Sequence, residues 1–184
     1  MHRFIASAVV TMLVLLLVAG VASAQMVKIV VDSGDYTSIK PSMVKTNTTS
    51  SAVSNNNFIQ IPPRRPRATE ETGPSDDGNA VYRINVPTAG TYQLWARTWW
   101  FDSCGNSFFI VVDNRPAVFI EGPTYQTWHW VKGPRLQLSA GQHTIRFQNR
   151  EDGARMDQFM LINNTQYVPT RIESRTAQYI VKNQ

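Results

Sequence analysis

The densest cluster of chemically capable side chains lies between Gln148 and Phe159, QNREDGARMDQF, where Arg150, Glu151, Asp152, Arg155 and Asp157 surround Gly153. Paired carboxylates can cleave glycosidic bonds, with Glu151 and either Asp152 or Asp157 as the pair. Acids set among arginines mostly neutralise one another, however, and nothing in the spacing raises a pKa. Arg150, Glu151 and Asp152 therefore read as a charged turn. Arg155 and Asp157 are separable residues at the opening of the apolar run FMLI.

Other chemistries fare worse. Neither His129 nor His143 stands in a nucleophile-elbow context, and His143 is in phase with Ile145 and Phe147 on HTIRF, at the inner edge of a strand. Zinc needs clustered Cys or His, which this sequence lacks. The chain reads as no enzyme. Calcium collects carboxylate and carbonyl oxygens: Asp32 ends the first predicted strand and Asp157 opens a late one, so pairing of the two would let both acids hold one ion. The plainer alternative is that both make turn hydrogen bonds.

Aromatic rings are the remaining signal. Trp95, Trp99, Trp100, Phe101, Tyr125, Trp128 and Trp130 fall in or beside predicted strand ends. A ring can stack on the C–H face of a sugar while polar neighbours bond its hydroxyls. Most of these rings are nevertheless expected in the core, Trp128 and Trp130 first.

The elements that must position these residues are all strand and turn. Period-two alternation marks VKIVV (27–31), AVYRINV (80–86), TYQLWARTWW (91–100), SFFIVV (107–112) and AVFIE (117–121). On 91–100 it sends Tyr92, Leu94 and Ala96 inward and Gln93, Trp95 and Arg97 outward. WHWV, RLQL, HTIRFQ and MDQFMLI add four more, with KGP, SAG and the charged stretch as separators. Short strands with Gly and Pro turns predict a β-sandwich or barrel. Two segments break the rhythm, Thr46 to Asn57 and Pro62 to Asn79; both are expected to be surface loops, where function often sits. Asn47 and Asn163 occupy glycosylation-type triplets.

Composition sets the outer bounds. The start, MHRFIASAVVTMLVLLLVAGVASAQ, has the layout of a secretory signal peptide cut after Ala24, an uncleaved membrane anchor being the alternative. Residues 25–184 then form a single domain in a secreted, extracellular or periplasmic protein. Loss of Arg3 takes the formal charge from +5 to +4, spread along the chain, which suits an anionic polysaccharide or cell surface better than nucleic acid. Cys104 is the only cysteine, so no internal disulfide forms, and it is expected to be a small buried hydrophobe.

The order VPTAGTYQLWAR, GNSFFIVVDN, YQTWHWVKGP, LSAGQHTIRFQNREDGARMDQFMLIN, together with VDSGDYTSI (31–39), resembles the galactose-binding-like jelly roll of carbohydrate-binding modules, closest to the family 6 and family 35 group. The resemblance covers most of residues 25–184. It implies an all-β jelly-roll β-sandwich and a non-catalytic sugar binder. The family's W-x-x-W-like pattern falls on Tyr125 to Trp128, which implies Tyr125 as ligand platform and Trp128 as structural ring. Arg155 stands where relatives carry a ligand-binding Asn, which favours a carboxylated or sulfated sugar. The family's structural calcium implies a metal role for Asp32 and Asp157, although Gly34, beside Asp35, replaces its second first-strand acid.

The expected ligand residues are thus Tyr125 and Arg155, with Trp99, Trp100 and Asn106 added from their loop positions, and the expected cofactor is structural Ca2+. The alternative is a self-assembling surface or matrix protein on the same sandwich, using the Arg/Pro loop at 62–67 and a tail segment, AQYIVK, that adds a strand to a neighbouring chain.

Overall fold

The computed structural model describes residues 25–63 and 78–182. The predicted leader (1–24) and most of the Pro/Arg and acidic loop (64–77) lie outside the described residues. In chain order the strands are β1 (Lys28–Asp32), β2 (Ser38–Lys40), β3 (Val44–Asn47), β4 (Asn57–Gln60), β5 (Asn79–Val86), β6 (Gly90–Trp99), β7 (Ser107–Val112), β8 (Val118–Glu121), β9 (His129–Leu138), β10 (Gly141–Gln148) and β11 (Arg155–Ile162).

They form two antiparallel sheets, one ordered β3-β4-β11-β6-β9 with β1 also on β11, the other β2-β5-β10-β7-β8. Alternation explains the layering. On the six-stranded sheet Ile29, Val31, Leu94, Ala96, Phe159 and Leu161 point inward; they meet Tyr82, Ile84, Phe108, Ile110, Ile145 and Phe147 from the other sheet in one core. Tyr82 and Phe159 pack edge to face at 5.0 Å, and Phe147 lies 5.3 Å from Phe159. Each such ring contributes about 1.5–3 kcal/mol by burial. Tyr82 donates its hydroxyl proton to the Ser33 carbonyl at 2.8 Å, so its polar end is satisfied.

The outward phase of β6 is as expected, yet Trp95 is buried. A second, smaller apolar cluster of Val30, Trp95, Met160 and Ile162, with Trp130 and Tyr167 against it, lies on the outer face of the six-stranded sheet. The segment after β11 lies on the same side. Trp130 Nε1 donates to the Arg171 carbonyl at 2.8 Å, the Thr176 amide donates to the Val30 carbonyl at 3.0 Å, and Lys28 pairs with Glu173 at 2.7 Å. Farther on, Ile180 bridges Ile84 and the Val181 amide donates to the Arg83 carbonyl at 2.9 Å. AQYIVK therefore docks on its own chain and does not project as a free strand.

Three expectations need correction. WHWV and RLQL are one strand: Gly133 and Pro134 form a bulge, and the buried Gln93 side-chain amide donates to the Gly133 and Pro134 carbonyls at 2.7 and 3.4 Å. Thr46 to Asn57 is not a loop throughout, since it contains the end of β3, a 3-10 turn at Ser54–Asn56 and the start of β4. Cys104 is exposed.

Candidate functional site

The sequence-predicted residues divide into three places. Arg155 and Trp99 come together because β11 and β6 pair with Arg155 opposite Trp99, which puts both side chains on the outer face of the six-stranded sheet. The Arg155 guanidinium lies 4.0 Å over the Trp99 ring and 5.4 Å from the Phe58 ring. Phe58 meets Trp128 edge to face at 5.6 Å, and Arg97 lies 5.6 Å from the Trp128 ring. Trp99 extends the row to Phe101 at 6.1 Å. The result is a ledge of aromatic rings interleaved with two arginines.

Among the described residues Arg155 has no carboxylate partner, and its Nε has no hydrogen-bond acceptor. Burial lowers its pKa without a compensating anion. A flat, partly desolvated guanidinium on an aromatic face is equipped to fork onto a carboxylate, a sulfate or paired hydroxyls, while the ring beside it takes an apolar ligand face. Phe58 and Arg97 were not among the expected site residues, and Trp128 was expected to be a structural ring. The alternation in FIQI (58–61) carries the signal for Phe58, but it is short and follows a Ser/Thr/Asn-rich run.

Trp100 contradicts expectation. It is fully buried, packed on Phe108 at 5.7 Å and near His129 at 6.3 Å, because one step along the chain from Trp99 turns its ring into the core. Tyr125 is 39% exposed on the loop entering β9, held by a parallel bridge to Trp100 in which the Gln126 amide donates to the Trp100 carbonyl at 2.8 Å. Asn106 ties loops together: its amide N–H donates to Glu151 at 3.0 Å and its side chain donates to the Gly122 carbonyl at 3.1 Å. It borders a hollow of about 330 Å³ with Glu121, Gly122 and Pro123. Trp128 and Trp130 are half-buried, less covered than the sequence reading expects.

The carboxylates near the charged turn are engaged. Glu151 accepts from the Ser107 hydroxyl at 2.5 Å and pairs with Arg150 at 3.2 Å. His143 does sit between Asp113 and Ser139 in a triad-like order. Its Nδ1 is 2.9 Å from Asp113, but its Nε2 is nearer the Ser139 carbonyl (3.0 Å) than the Ser139 hydroxyl (3.3 Å). The ring clamps a turn; it is not aimed at a nucleophile.

The strand-end acids do adjoin, since β1 pairs β11 with Asp32 opposite Gln158. A bulge between Met156 and Gln158 swings Asp157 toward Arg97. Asp157 pairs with Arg97 Nη1 through one oxygen and accepts the Ser54 amide at 2.8 Å through the other. Asp32 accepts from the Ser54 hydroxyl at 2.8 Å and from the Gln158 amide at 2.7 Å. Asp35 takes a two-pronged pair from Arg175 at 2.6 and 2.7 Å. Burial pushes the Asp157 carboxyl up to about 6 against the pull of Arg97. Among the described residues no group of three or more His, Cys, Asp or Glu could hold a metal ion. Calcium fits these residues poorly, because guanidiniums hold Asp157 and Asp35 and, among the described residues, only Asp32 Oδ2 is left without a protein donor.

Sequence comparison with family models and with curated proteins finds no significant match. Solved structures do match. The family 35 carbohydrate binding module from Clostridium thermocellum aligns over 72% of this chain and 96% of its own, with a TM-score of 0.56 and 17% identity. A carbohydrate binding module, CBM6cm-2, from Cellvibrio mixtus lichenase 5A, solved with cellotriose, aligns over 74% and 96% with a TM-score of 0.52 and 18% identity. The GH26-CBM35 β-(1,4)-mannanase of Podospora anserina matches over 82% of this chain at a TM-score of 0.54 and 15% identity, but the chain spans only 29% of that enzyme. Two antiparallel sheets, this strand order and these alignments together make the fold the jelly-roll β-sandwich of family 6 and family 35 carbohydrate-binding modules.

Proposed function

We propose that this chain is a secreted, non-catalytic carbohydrate-binding protein whose ligand is an acidic polysaccharide or cell-surface glycan. The observation that carries the reading is the Arg155 guanidinium, stacked 4.0 Å over the half-exposed Trp99 on the aromatic ledge with no carboxylate partner among the described residues. Phe58 and Trp128 extend the ledge, and Tyr125 stands exposed on the loop leading into it. The fold shared with carbohydrate-binding modules supports the ligand class, and the cationic ledge supports the acidic choice.

The test is retardation of the purified protein in gels cast with neutral or acidic polysaccharides. Retardation by a uronate- or sulfate-bearing polymer, weakened in Trp99→Ala and Tyr125→Ala, is the expected result. Failure of every polymer to retard the wild type overturns the reading. One feature favours the alternative of self-assembly: the edge strand β8 exposes Val118 (41%) and Phe119 (51%). Oligomers that disappear in Phe119→Lys would favour it, whereas a monomer by light scattering would count against it.

A further inference from the structure

Two carboxylates that are almost wholly buried, Asp32 (3% exposed) and Asp157 (0%), lie close enough to repel each other at the joined ends of β1 and β11. Such a pair needs a positive charge beside it or the strand ends come apart. We propose that the Arg97 guanidinium is the resident cation of this cluster, doing the work of a bound divalent ion, so that the sandwich locks its strand ends and the 48–56 segment without a metal.

The contacts are those a hard cation collects, a carboxylate and a backbone carbonyl. Arg97 Nη1 donates to Asp157 and, at 2.9 Å, to the Ala52 carbonyl. Ser54 completes the closure, its amide on Asp157 and its hydroxyl on Asp32. Arg175 neutralises the neighbouring Asp35, so Asp32, Asp35 and Asp157 face two guanidiniums and one negative charge is left over. Asp32 carries that charge among hydrogen-bond donors from Ser54 and Gln158. A calcium ion shared by Asp32 and Asp157 would have to displace Arg97 from Asp157. A further acid at position 34 would also require the Asn57 side chain to move, because a Cβ on Gly34 would lie 2.5 Å from its oxygen.

Unlike an ion, Arg97 also touches the ligand ledge. Its guanidinium lies 5.6 Å from the Trp128 ring, and the segment it pins leads directly into β4, where Phe58 packs on Trp128. Arg97 is therefore a positioning residue for the ledge, whatever ligand the ledge takes.

The test compares thermal unfolding and amide hydrogen exchange of the full chain in chelator and in millimolar calcium, for the wild type, Arg97→Met and the double variant Arg97→Met/Asp157→Asn. The wild type is expected to melt at the same temperature in both buffers. Arg97→Met should lower the midpoint by roughly 10 °C, the scale of a broken buried pair, and expose the amides of residues 50–56 to exchange. The double variant should recover part of that loss. A wild-type midpoint that rises with calcium overturns the inference, as does Arg97→Met with unchanged exchange at 50–56. Should Arg97→Met fail to fold, the wild-type buffer comparison decides: a calcium-sensitive wild type refutes the inference. None of these readouts uses a glycan, so they stand or fall separately from the ligand assignment.

Discussion

Replacing Arg155 by Met should separate binding from stability. Arg155 is half-buried on Trp99 and Phe58 with no ion pair among the described residues. On the folding side, the cation–π stack supplies about 0.5–1 kcal/mol. Desolvation of an unpaired guanidinium with an orphaned Nε offsets much of that gain, and the Met thioether keeps contact with the ring. The net change should lie within about 1 kcal/mol, or roughly 2–4 °C in Tm for a domain of this size. On the binding side, an anionic ligand loses charge-assisted hydrogen bonds of about 1.5–3 kcal/mol, which is roughly a 10- to 150-fold rise in Kd. Isothermal titration against the retarding acidic polysaccharide reads the second quantity and a melting curve reads the first. Unchanged affinity in a folded Arg155→Met would refute the role of the charge. A Tm drop of about 10 °C or more would show that Arg155 is chiefly structural.

Three further outcomes follow from the packing. Gly133→Ala places a Cβ 2.6 Å from Leu94 Cδ2 and 3.3 Å from the Leu94 carbonyl oxygen in the β9 bulge, so urea unfolding should show a loss of about 1–3 kcal/mol. Burial alone would raise the Asp113 carboxyl, but the Thr144 amide, His143 and Arg115 outweigh it and hold the pKa below its ordinary value. The stability this supplies is present above the unfolded carboxylate pKa near 4 and is lost as pH falls through the lower folded value; Asp113→Asn should lack that step in unfolding measured across the acid range. Cys104 is exposed, so it should react fully with a maleimide in the native protein, and Cys104→Ser should leave Tm unchanged; slow labelling would contradict the loop placement.

Most of the sandwich was legible because its inner residues alternate with polar ones. AVYRINV, SFFIVV and HTIRFQ became β5, β7 and β10, and Ile145 and Phe147 lie in the core in the phase expected for HTIRF. The phase read for β6 even implied the fate of its tryptophans: if Arg97 points outward, so does Trp99, and Trp100 must turn inward. That phase allows only Trp99 of the two to reach the outer face. β3 and β4 were hidden because a short strand near a sheet edge carries polar residues such as Lys45, Asn47 and Gln60 that pattern like a loop. Gly133 and Pro134 punctuate sequence as a turn, yet a bulge tolerates both when a side chain such as Gln93 satisfies the freed carbonyls. The engagement of Asp157 by Arg97 depends on a register shift in β11, which no local pattern encodes.

The strap that follows β11 has a practical meaning for where this folding unit stops. Val30, Trp95, Met160 and Ile162 form an outward apolar cluster against which Tyr167 packs, on the side where Arg171 and Thr176 bond the sheet. A fragment cut after the last strand would present a bare oily face to water and would be expected to aggregate. Any excised or transplanted version must therefore carry the chain through Val181, whose amide closes onto β5.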